Sequence, residues 1–218
     1  MSDIVLSEIS KSFGGREILH SLSFTVNSGD FVSITGESGS GKSTLLSIMG
    51  GVMRPDKGSV KIGDVDLASL FENELAKMRR TKLGFVYQFF NLIPTMTVRD
   101  NIFLPLILDT KRPSDYYDKF EELVAFTHLS EVVDSYPDTL SGGEQQRAAI
   151  LRALIHDPEV ILLDEPTGNL DSKNAAAVMR LLADLNQKYG VTVVQVTHSE
   201  QGASYGNRVI TIKDGALV

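Results

Sequence analysis

A glycine-rich stretch near the N-terminus has the residue types of a phosphate-binding loop. Residues 36–43 read GESGSGKS and satisfy the pattern G-x-x-x-x-G-K-S/T. Glycines let the backbone curl around a phosphate with its N–H groups inward, and a helix start behind the loop adds partial positive charge. Lys42 would reach the β- and γ-phosphates of a nucleotide, and the Ser43 hydroxyl would bind Mg²⁺. The stretch predicts nucleotide binding; a glycine-rich turn with a surface lysine is the alternative.

A pair of acids follows an apolar run later in the chain. VILLDEP, at residues 160–166, is typical of a buried strand that ends in Asp164 and Glu165. An acid at this end of a parallel strand can hold Mg²⁺ through water, and the next residue can polarise an attacking water as a general base. Alone, the pair could be an acidic turn after a core strand. Combined with the glycine loop, it predicts nucleotide hydrolysis.

The elements that must position these residues alternate between strands and helices. A strand at 30–35 leads into the glycine loop, and the helix after it is predicted to close at Gly50 and Gly51, since glycine tolerates a left-handed cap. Buried strands that lack strict alternation and are separated by helices predict a mostly parallel sheet covered on both faces. Further predicted elements are helices at 143–156 and 173–189, strands at 160–164 and 191–197, alternating strands near the N-terminus, and a hairpin-like pair at 207–218.

The segment at 89–139 differs in character from the rest. Its apolar residues have helical spacing, which predicts a helical lobe inserted into an α/β core. Four prolines are predicted breaks in this lobe: Pro94, Pro105, Pro113 and Pro137.

Composition limits the class of protein. The 218 residues suit one large domain or a domain with an inserted lobe. With no cysteine, disulfides and thiolate metal sites are excluded. A net charge of −7 argues against nucleic acid as a partner, and the basic cluster KMRRTK at 77–82 is interpreted as a solvated helix end. No apolar run approaches the roughly 18 to 20 residues of a membrane span, and no secretion signal is recognised, so residence in the cytosol is expected.

Together the motifs resemble those of the nucleotide-binding subunit of ATP-binding cassette (ABC) transporters, in the same order and over essentially the whole chain. LSGGEQQR, at 140–147, is similar to the signature that separates this family from other P-loop proteins. By the same resemblance, Phe13 corresponds to the aromatic that stacks on adenine and Gln88 to the glutamine that contacts Mg²⁺ and senses the membrane subunit. GNLD, at 168–171, corresponds to the loop linking two subunits, and His198 to the γ-phosphate switch histidine.

Each of these matches has a structural alternative, and two depart from the commonest pattern. Phe13 could be a turn or core aromatic, Gln88 a polar strand end, His198 a structural histidine, and Asp171 or Ser141 a helix cap. Phenylalanine stands where tyrosine is frequent, which loses a hydroxyl but keeps the π-face. GNLD stands where many members have SALD.

The resemblance implies a full set of site residues. Catalytic roles fall to Glu165, His198 and Gln88, and Mg²⁺ contacts to Ser43, Gln88 and Asp164. The implied ATP-binding residues are Phe13, Gly36, Glu37, Ser38, Gly39, Ser40, Gly41, Lys42, Ser43, Thr44, Ser141, Gly142, Gly143 and Glu144. The last four would act on ATP held by a partner subunit.

The resemblance also implies the fold and the partners. The fold expected is α/β: a P-loop NTPase core with a mostly parallel sheet, an N-terminal antiparallel β subdomain and an inserted α-helical subdomain. One domain would span 1–218, with residues 1–88 and 141–218 as the ATP-binding core and 89–140 as the helical subdomain. Two copies would sandwich two ATP molecules head to tail. This ATP-bound homodimer would sit on the inner face of the membrane and drive a separate integral permease, with neither nucleic-acid binding nor direct membrane insertion.

The sequence leaves the type of driven work open. Residues 79–108, together with DEPTGNLDS, resemble the branch that contains macrolide exporters, lipoprotein-releasing complexes and bacitracin-type resistance transporters. A cassette that transmits mechanical force without moving a substrate, as in cell division, is the alternative. A P-loop kinase or GTPase would not explain the signature, and no guanine-selective N-K-x-D occurs. Soluble cassettes of DNA repair or translation usually carry a coiled-coil insertion or a second cassette.

Overall fold

The computed structural model describes residues 2–218, which form two β-sheets. The first is antiparallel, with strand order β2-β1-β4-β5. Its strands are β1 (Ile4–Phe13), β2 (Arg16–Val26), β4 (Lys57–Ile62) and β5 (Val65–Asp66).

The second sheet carries the glycine loop and the acidic pair. Its order is β10-β9-β3-β8-β7-β6, with β10 antiparallel to β9 and the other neighbours parallel. Its strands are β3 (Phe31–Thr35), β6 (Leu83–Val86), β7 (Val160–Asp164), β8 (Thr192–Thr197), β9 (Arg208–Lys213) and β10 (Ala216–Leu217). Because side chains of a strand alternate between faces, Ile161 and Leu163 pack in one hydrophobic core and Val160 and Leu162 in another. This explains the apolar run of β7.

Helices cover the sheets and form the segment between β6 and β7. They are α1 (Lys42–Met49), α2 (Glu72–Thr81), α3 (Val98–Leu108), α4 (Tyr117–Phe126), α5 (Gly142–Leu154), α6 (Ser172–Tyr189) and α7 (Glu200–Ala203). Of the helices that residues 2–218 form, none has both the length and the apolar character needed to cross a bilayer. The basic cluster forms the last turn of α2 and the residue after it. There Arg79 donates hydrogen bonds to the Gly51 carbonyl at 2.6 Å and to Glu72 at 2.7 Å.

One local prediction is wrong, and a second is confirmed only in part. Pro105 lies inside α3 and does not break it, although its ring nitrogen cannot donate to the Asn101 carbonyl. Burial of the apolar side chains Ile102 and Leu106 keeps the helix intact. At the end of α1, Gly51 is left-handed (φ +63°), as predicted, but Gly50 is not (φ −87°). Glycine is required at position 50 for space, because a Cβ there would lie 2.3 Å from the ring of Phe85.

Candidate active site

The glycine loop joins β3 to α1 and is pressed against two other strands. A Cβ on Gly36 would lie 2.1 Å from the carbonyl oxygen of Ile212 in β9, and one on Gly41 would lie 2.6 Å from Leu19 in β2. Both glycines also have positive φ, at +151° and +97°. Only glycine satisfies both conditions, so these two positions determine the path of the loop.

Lys42 is the first residue of α1 and its ammonium group lies within the loop. The side chain is buried, and Nζ donates to the carbonyl oxygens of Gly36 at 2.8 Å and Glu37 at 2.7 Å. The loop therefore surrounds a positive charge at the N-terminal end of a helix. Both features attract anions, and they fit a phosphate group.

Ser43 and Asp164 place two side-chain oxygens next to each other at the carboxyl end of β7. The Ser43 hydroxyl donates to Asp164 Oδ1 at 2.8 Å. Burial raises the pKa of Asp164 and the hydrogen bond from Ser43 lowers it, while the negative charge of Glu165 raises it further. A hydroxyl and a carboxylate are the hard oxygen ligands that Mg²⁺ prefers, so the pair fits this ion.

Glu165 and His198 lie at the ends of the adjacent strands β7 and β8 and contact each other. The Glu165 Oε1 to His198 Nδ1 distance is 2.9 Å, and the backbone N–H of His198 donates to Oε2 at 3.4 Å. Glu165 adopts a left-handed backbone conformation (φ +47°), which costs about 1 to 3 kcal/mol for a residue other than glycine. Strained backbone conformations of this kind cluster at functional sites, which fits a functional position for Glu165.

Most of the predicted residues line one open cavity of about 520 Å³. This volume lies within the range of small-molecule sites, about 300 to 1,000 Å³. The lining residues are Phe13, Ile18, Ser38, Gly39, Gly41, Lys42, Ser43, Thr44, Gln88, Glu165 and His198. Of these, Ile18 has no polar group or motif that marks it in the sequence.

The other predicted residues lie outside that lining. Glu37 and Ser40 line a second cavity, which shares Ser38 and Gly39 with the first. Gly36 packs against β9, and Asp164 accepts the hydrogen bond from Ser43.

The signature residues Ser141 to Glu144 form the first turn of α5 and do not line the cavity of the described chain. Ser141 caps the helix: its backbone N–H donates to Glu144 Oε2 at 2.8 Å, and its hydroxyl accepts from the Glu144 N–H at 3.4 Å. Hydrogen bonds from Ser141 lower the pKa of Glu144. The capping alternative therefore describes the structure of this turn within one chain.

Gln88 is held by a residue that the sequence reasoning did not single out. Its amide nitrogen donates to Asn169 Oδ1 at 3.3 Å, and Asn169 Nδ2 donates to the Gln88 carbonyl at 2.9 Å. Asn169 is one of the two residues, with Gly168, at which GNLD departs from SALD, and this departure was the available signal. In the same loop Asp171 caps α6 by accepting from the Asn174 N–H at 2.9 Å, as its alternative interpretation predicts.

Immediately after Gln88 the chain makes an unusual turn. Phe90 and Asn91 are both left-handed, with φ of +60° and +51°. Arg152 of α5 donates to the carbonyl oxygen of each, at 2.8 Å for Phe90. Arg152 was also missed, because its partners are about sixty residues away and the sequence shows it only as a charge on a helix.

The family model described as "ABC transporter" matches residues 19–168. The chain belongs to the ABC transporter family. It is 44% identical to the bacitracin export ATP-binding protein BceA of Halalkalibacterium halodurans, over 100% of this chain and 87% of that protein. It is 40% identical to the lipoprotein-releasing system ATP-binding protein LolD of Cytophaga hutchinsonii, over 97% of this chain and 96% of that one.

Solved structures of one family member have the same fold. MJ0796, which is found in Methanocaldococcus jannaschii, has been solved as a dimer in a post-hydrolysis state bound to ADP and Pi. The TM-score is 0.88 at 40% identity, covering 98% of this chain and 96% of that one. A second dimeric structure of the same cassette gives 0.88 at 41% identity.

These comparisons confirm the family, the branch and the fold class predicted from the sequence. They also confirm the predicted activity: this ABC transporter domain is an ATPase that uses ATP and Mg²⁺. The cavity beside the glycine loop is its candidate active site.

Proposed function

We propose that the chain is the ATPase subunit of a membrane transporter and that the residues around the cavity have the roles the motifs predict. One observation carries the proposal. The buried Lys42 ammonium, the Ser43–Asp164 pair and the Glu165–His198 pair meet at one end of the parallel sheet. This end, where the strands of an open α/β sheet terminate, is where such folds bind their ligands.

On this proposal the loop and its neighbours hold the nucleotide. Backbone N–H groups of residues 36–44 and the Lys42 ammonium bind the phosphates, and the half-exposed ring of Phe13 stacks on the base. Ser43, Asp164 and the amide of Gln88 hold Mg²⁺ directly or through water. The ion, when bound, would neutralise charge on the β- and γ-phosphate oxygens.

Glu165 is placed to accept the proton of an attacking water. Its carboxylate lines the cavity and is largely shielded, with 17% of the side chain exposed. With Nδ1 as the donor, His198 orients this carboxylate and leaves Nε2 free to face the γ-phosphate. In this arrangement His198 positions Glu165, and Glu165 activates the attacking water.

The position of the signature turn supports an ATP-bound homodimer. Ser141 is exposed, Gly142 and Glu144 are half-buried, and none of the signature residues lines the cavity of its own chain. A second copy arranged head to tail would bring this turn to the γ-phosphate, and MJ0796 has been solved as a dimer. Within each copy, we propose that residues 1–88 and 141–218 form the ATP-binding core and residues 89–140 the helical subdomain.

A membrane permease is the proposed partner, which would hold the cassette on the cytoplasmic face of the membrane. The relatives named above take part in bacitracin export and lipoprotein release. Apolar side chains of the helical segment are exposed close in sequence to Gln88 and at the end of α3: Phe89, Ile93, Ile107 and Leu108. The buried side chains of the same segment, such as Ile102 and Leu106, form its core. The exposed set is available for a docked helix of the permease.

The Glu165→Gln variant tests the assigned chemistry. Glutamine keeps the shape and a hydrogen-bond acceptor for His198 but cannot take a proton. ATP turnover should fall by about 10²- to 10⁴-fold. ATP-dependent dimerisation, measured by light scattering, should persist. The matched control is Glu200→Gln, an exposed acid two residues beyond His198, which should retain turnover.

Two results would contradict the proposal separately. Turnover of Glu165→Gln within about tenfold of the native rate would show that Glu165 is not the base. Specific activity of the native protein that does not change on dilution through the range where dimers dissociate would exclude the shared site.

A further inference from the structure

The strand that carries Phe13 is irregular just before it. β1 loses register with β2 between Ile9 and Lys11 and again between Lys11 and Ser12. Pairing resumes only at the end of the strand, where Ser12 pairs with Glu17 and Phe13 with Arg16. The Phe13 ring is 47% exposed, so core packing does not determine its position.

Asp56, in the segment before β4, contacts the three residues that precede Phe13. Its Oδ2 accepts from the backbone N–H of Ser12 at 2.7 Å, and its Oδ1 accepts from Lys11 Nζ at 2.7 Å. Its own N–H donates to the Ser10 carbonyl at 2.9 Å. These three bonds lie on the β4 edge of β1 and extend that contact beyond the pair of Ser10 with Lys57.

Lys11 connects this contact to the aromatic ring. Its Nζ lies over the Phe13 ring, 5.6 Å from the centroid, within the distance of a cation–π interaction. The side chain is only 16% exposed and its charged end is held by Asp56. One face of the ring is thus occupied by a held cation, and the opposite face is left for a stacking partner.

We propose that Asp56 and Lys11 are positioning residues for the nucleotide base: Asp56 holds Lys11 and the bulged backbone, and Lys11 holds the Phe13 ring in its stacking orientation. The inference rests on the stacking role proposed for Phe13. Hydrogen bonds from Lys11 and Ser12 lower the pKa of Asp56, so its carboxylate stays ionised at neutral pH. The arrangement limits the ring's motion before nucleotide binds, which reduces the entropic cost of stacking.

A comparison of ligands with and without a base tests this inference. Asp56→Asn leaves one acceptor oxygen for two donors, and Lys11→Met removes the cation but keeps the stem. We expect each to raise KM for ATP by about three- to tenfold, which is part of the stacking contribution of a base, with kcat within about twofold. The inhibition constant of inorganic tripolyphosphate, which has no base, should not change. Lys11→Arg, which keeps both contacts, should retain the native KM.

Two control variants make the outcomes distinguishable. Phe13→Ala should raise KM for ATP by roughly tenfold or more and leave tripolyphosphate inhibition unchanged. If it does not, the proposed stacking role fails. If it does while Asp56→Asn and Lys11→Met keep the native KM, the positioning role fails alone. Asp64→Asn, in the exposed β4–β5 turn, is the matched control for charge. Equal weakening of ATP and tripolyphosphate by Asp56→Asn would show a general structural role and overturn the inference.

Discussion

Replacing Gly36 by alanine tests whether the contact with β9 determines the path of the glycine loop. The added methyl group would lie 2.1 Å from the Ile212 carbonyl oxygen and 2.9 Å from Ser40 Oγ. The carbonyl belongs to a strand of the six-stranded sheet and cannot move away cheaply, so the loop itself must shift. Gly39 is the matched control: its φ is also positive, at +81°, but no described atom lies within 4 Å of a Cβ there.

The two substitutions differ in predicted cost. At position 36, overpacking costs about 1 to 3 kcal/mol of stability, and the unfavourable backbone conformation costs about the same. Alanine also lowers the conformational entropy of the unfolded chain, which stabilises the fold by about 0.4 to 1 kcal/mol. The free energy of unfolding should therefore fall by about 2 to 5 kcal/mol. At position 39 only the backbone cost of about 1 to 2 kcal/mol applies, and the lower entropy of the unfolded chain offsets much of it. The free energy of unfolding should therefore fall by about 1 kcal/mol or less.

Thermal unfolding without nucleotide, followed by circular dichroism, measures this difference. The overpacking cost of about 1 to 3 kcal/mol distinguishes the two variants, and for a chain of this length each kcal/mol shifts Tm by about 2 to 4 °C. Gly36→Ala should therefore melt about 2 to 12 °C below Gly39→Ala. Because the shifted loop would no longer surround Lys42 correctly, Gly36→Ala should also weaken ADP binding. Equal melting temperatures for the two variants would refute the argument, since the contact with Ile212 is what distinguishes them.

Two further predictions concern buried polar groups. Burial raises the pKa of Asp164 in the folded state, so ionisation of this group lowers the stability of the fold as pH rises through that pKa. Asp164→Asn should therefore raise the nucleotide-free Tm at pH 7.5 and should approach the native Tm below about pH 4, where the native carboxyl is also neutral. The same variant should lose the Mg²⁺-dependent stabilisation by ADP. A lower Tm at pH 7.5 would contradict this sign. Asn101 is fully buried and makes four hydrogen bonds around Ile93 and the start of α3, so Asn101→Ala should cost about 2 to 4 kcal/mol in urea unfolding. The control Asn73→Ala, at an exposed position, should lower the free energy of unfolding by less than about 0.5 kcal/mol. Equal losses for the two variants would show that the hydrogen bonds of Asn101 contribute little to stability.

Local patterns in the sequence were sufficient to predict the main strands, the helices and the cavity-facing residues. The glycine loop, the VILLDEP strand and the signature each occupy consecutive residues, so their spacing carries the geometry. Pro105 was mispredicted because the rule for proline considers only one helix, whereas burial of neighbouring side chains outweighs the lost hydrogen bond.

Contacts between distant segments were not predictable in this way. Asp56 and Lys11 are separated by 45 residues, and each looks like an ordinary surface charge in the sequence. The glycine at position 36 was recognised from a motif, but the atom that requires it is a carbonyl of β9. The signature turn is a different case, because its proposed ligand lies on another copy of the chain.

The turn held by Arg152 has a mechanical consequence. Two successive left-handed residues, Phe90 and Asn91, store about 2 to 4 kcal/mol that an extended or helical backbone would release. Arg152 keeps this strained turn in place from the last turns of α5, and Ser141 caps the same helix about 17 Å away. A rigid rod of that length transmits any tilt from one end to the other. Movement of the signature turn would therefore also displace the Arg152 guanidinium, which links the start of α5 to the connection beyond Gln88 through its bonds to the Phe90 and Asn91 carbonyls.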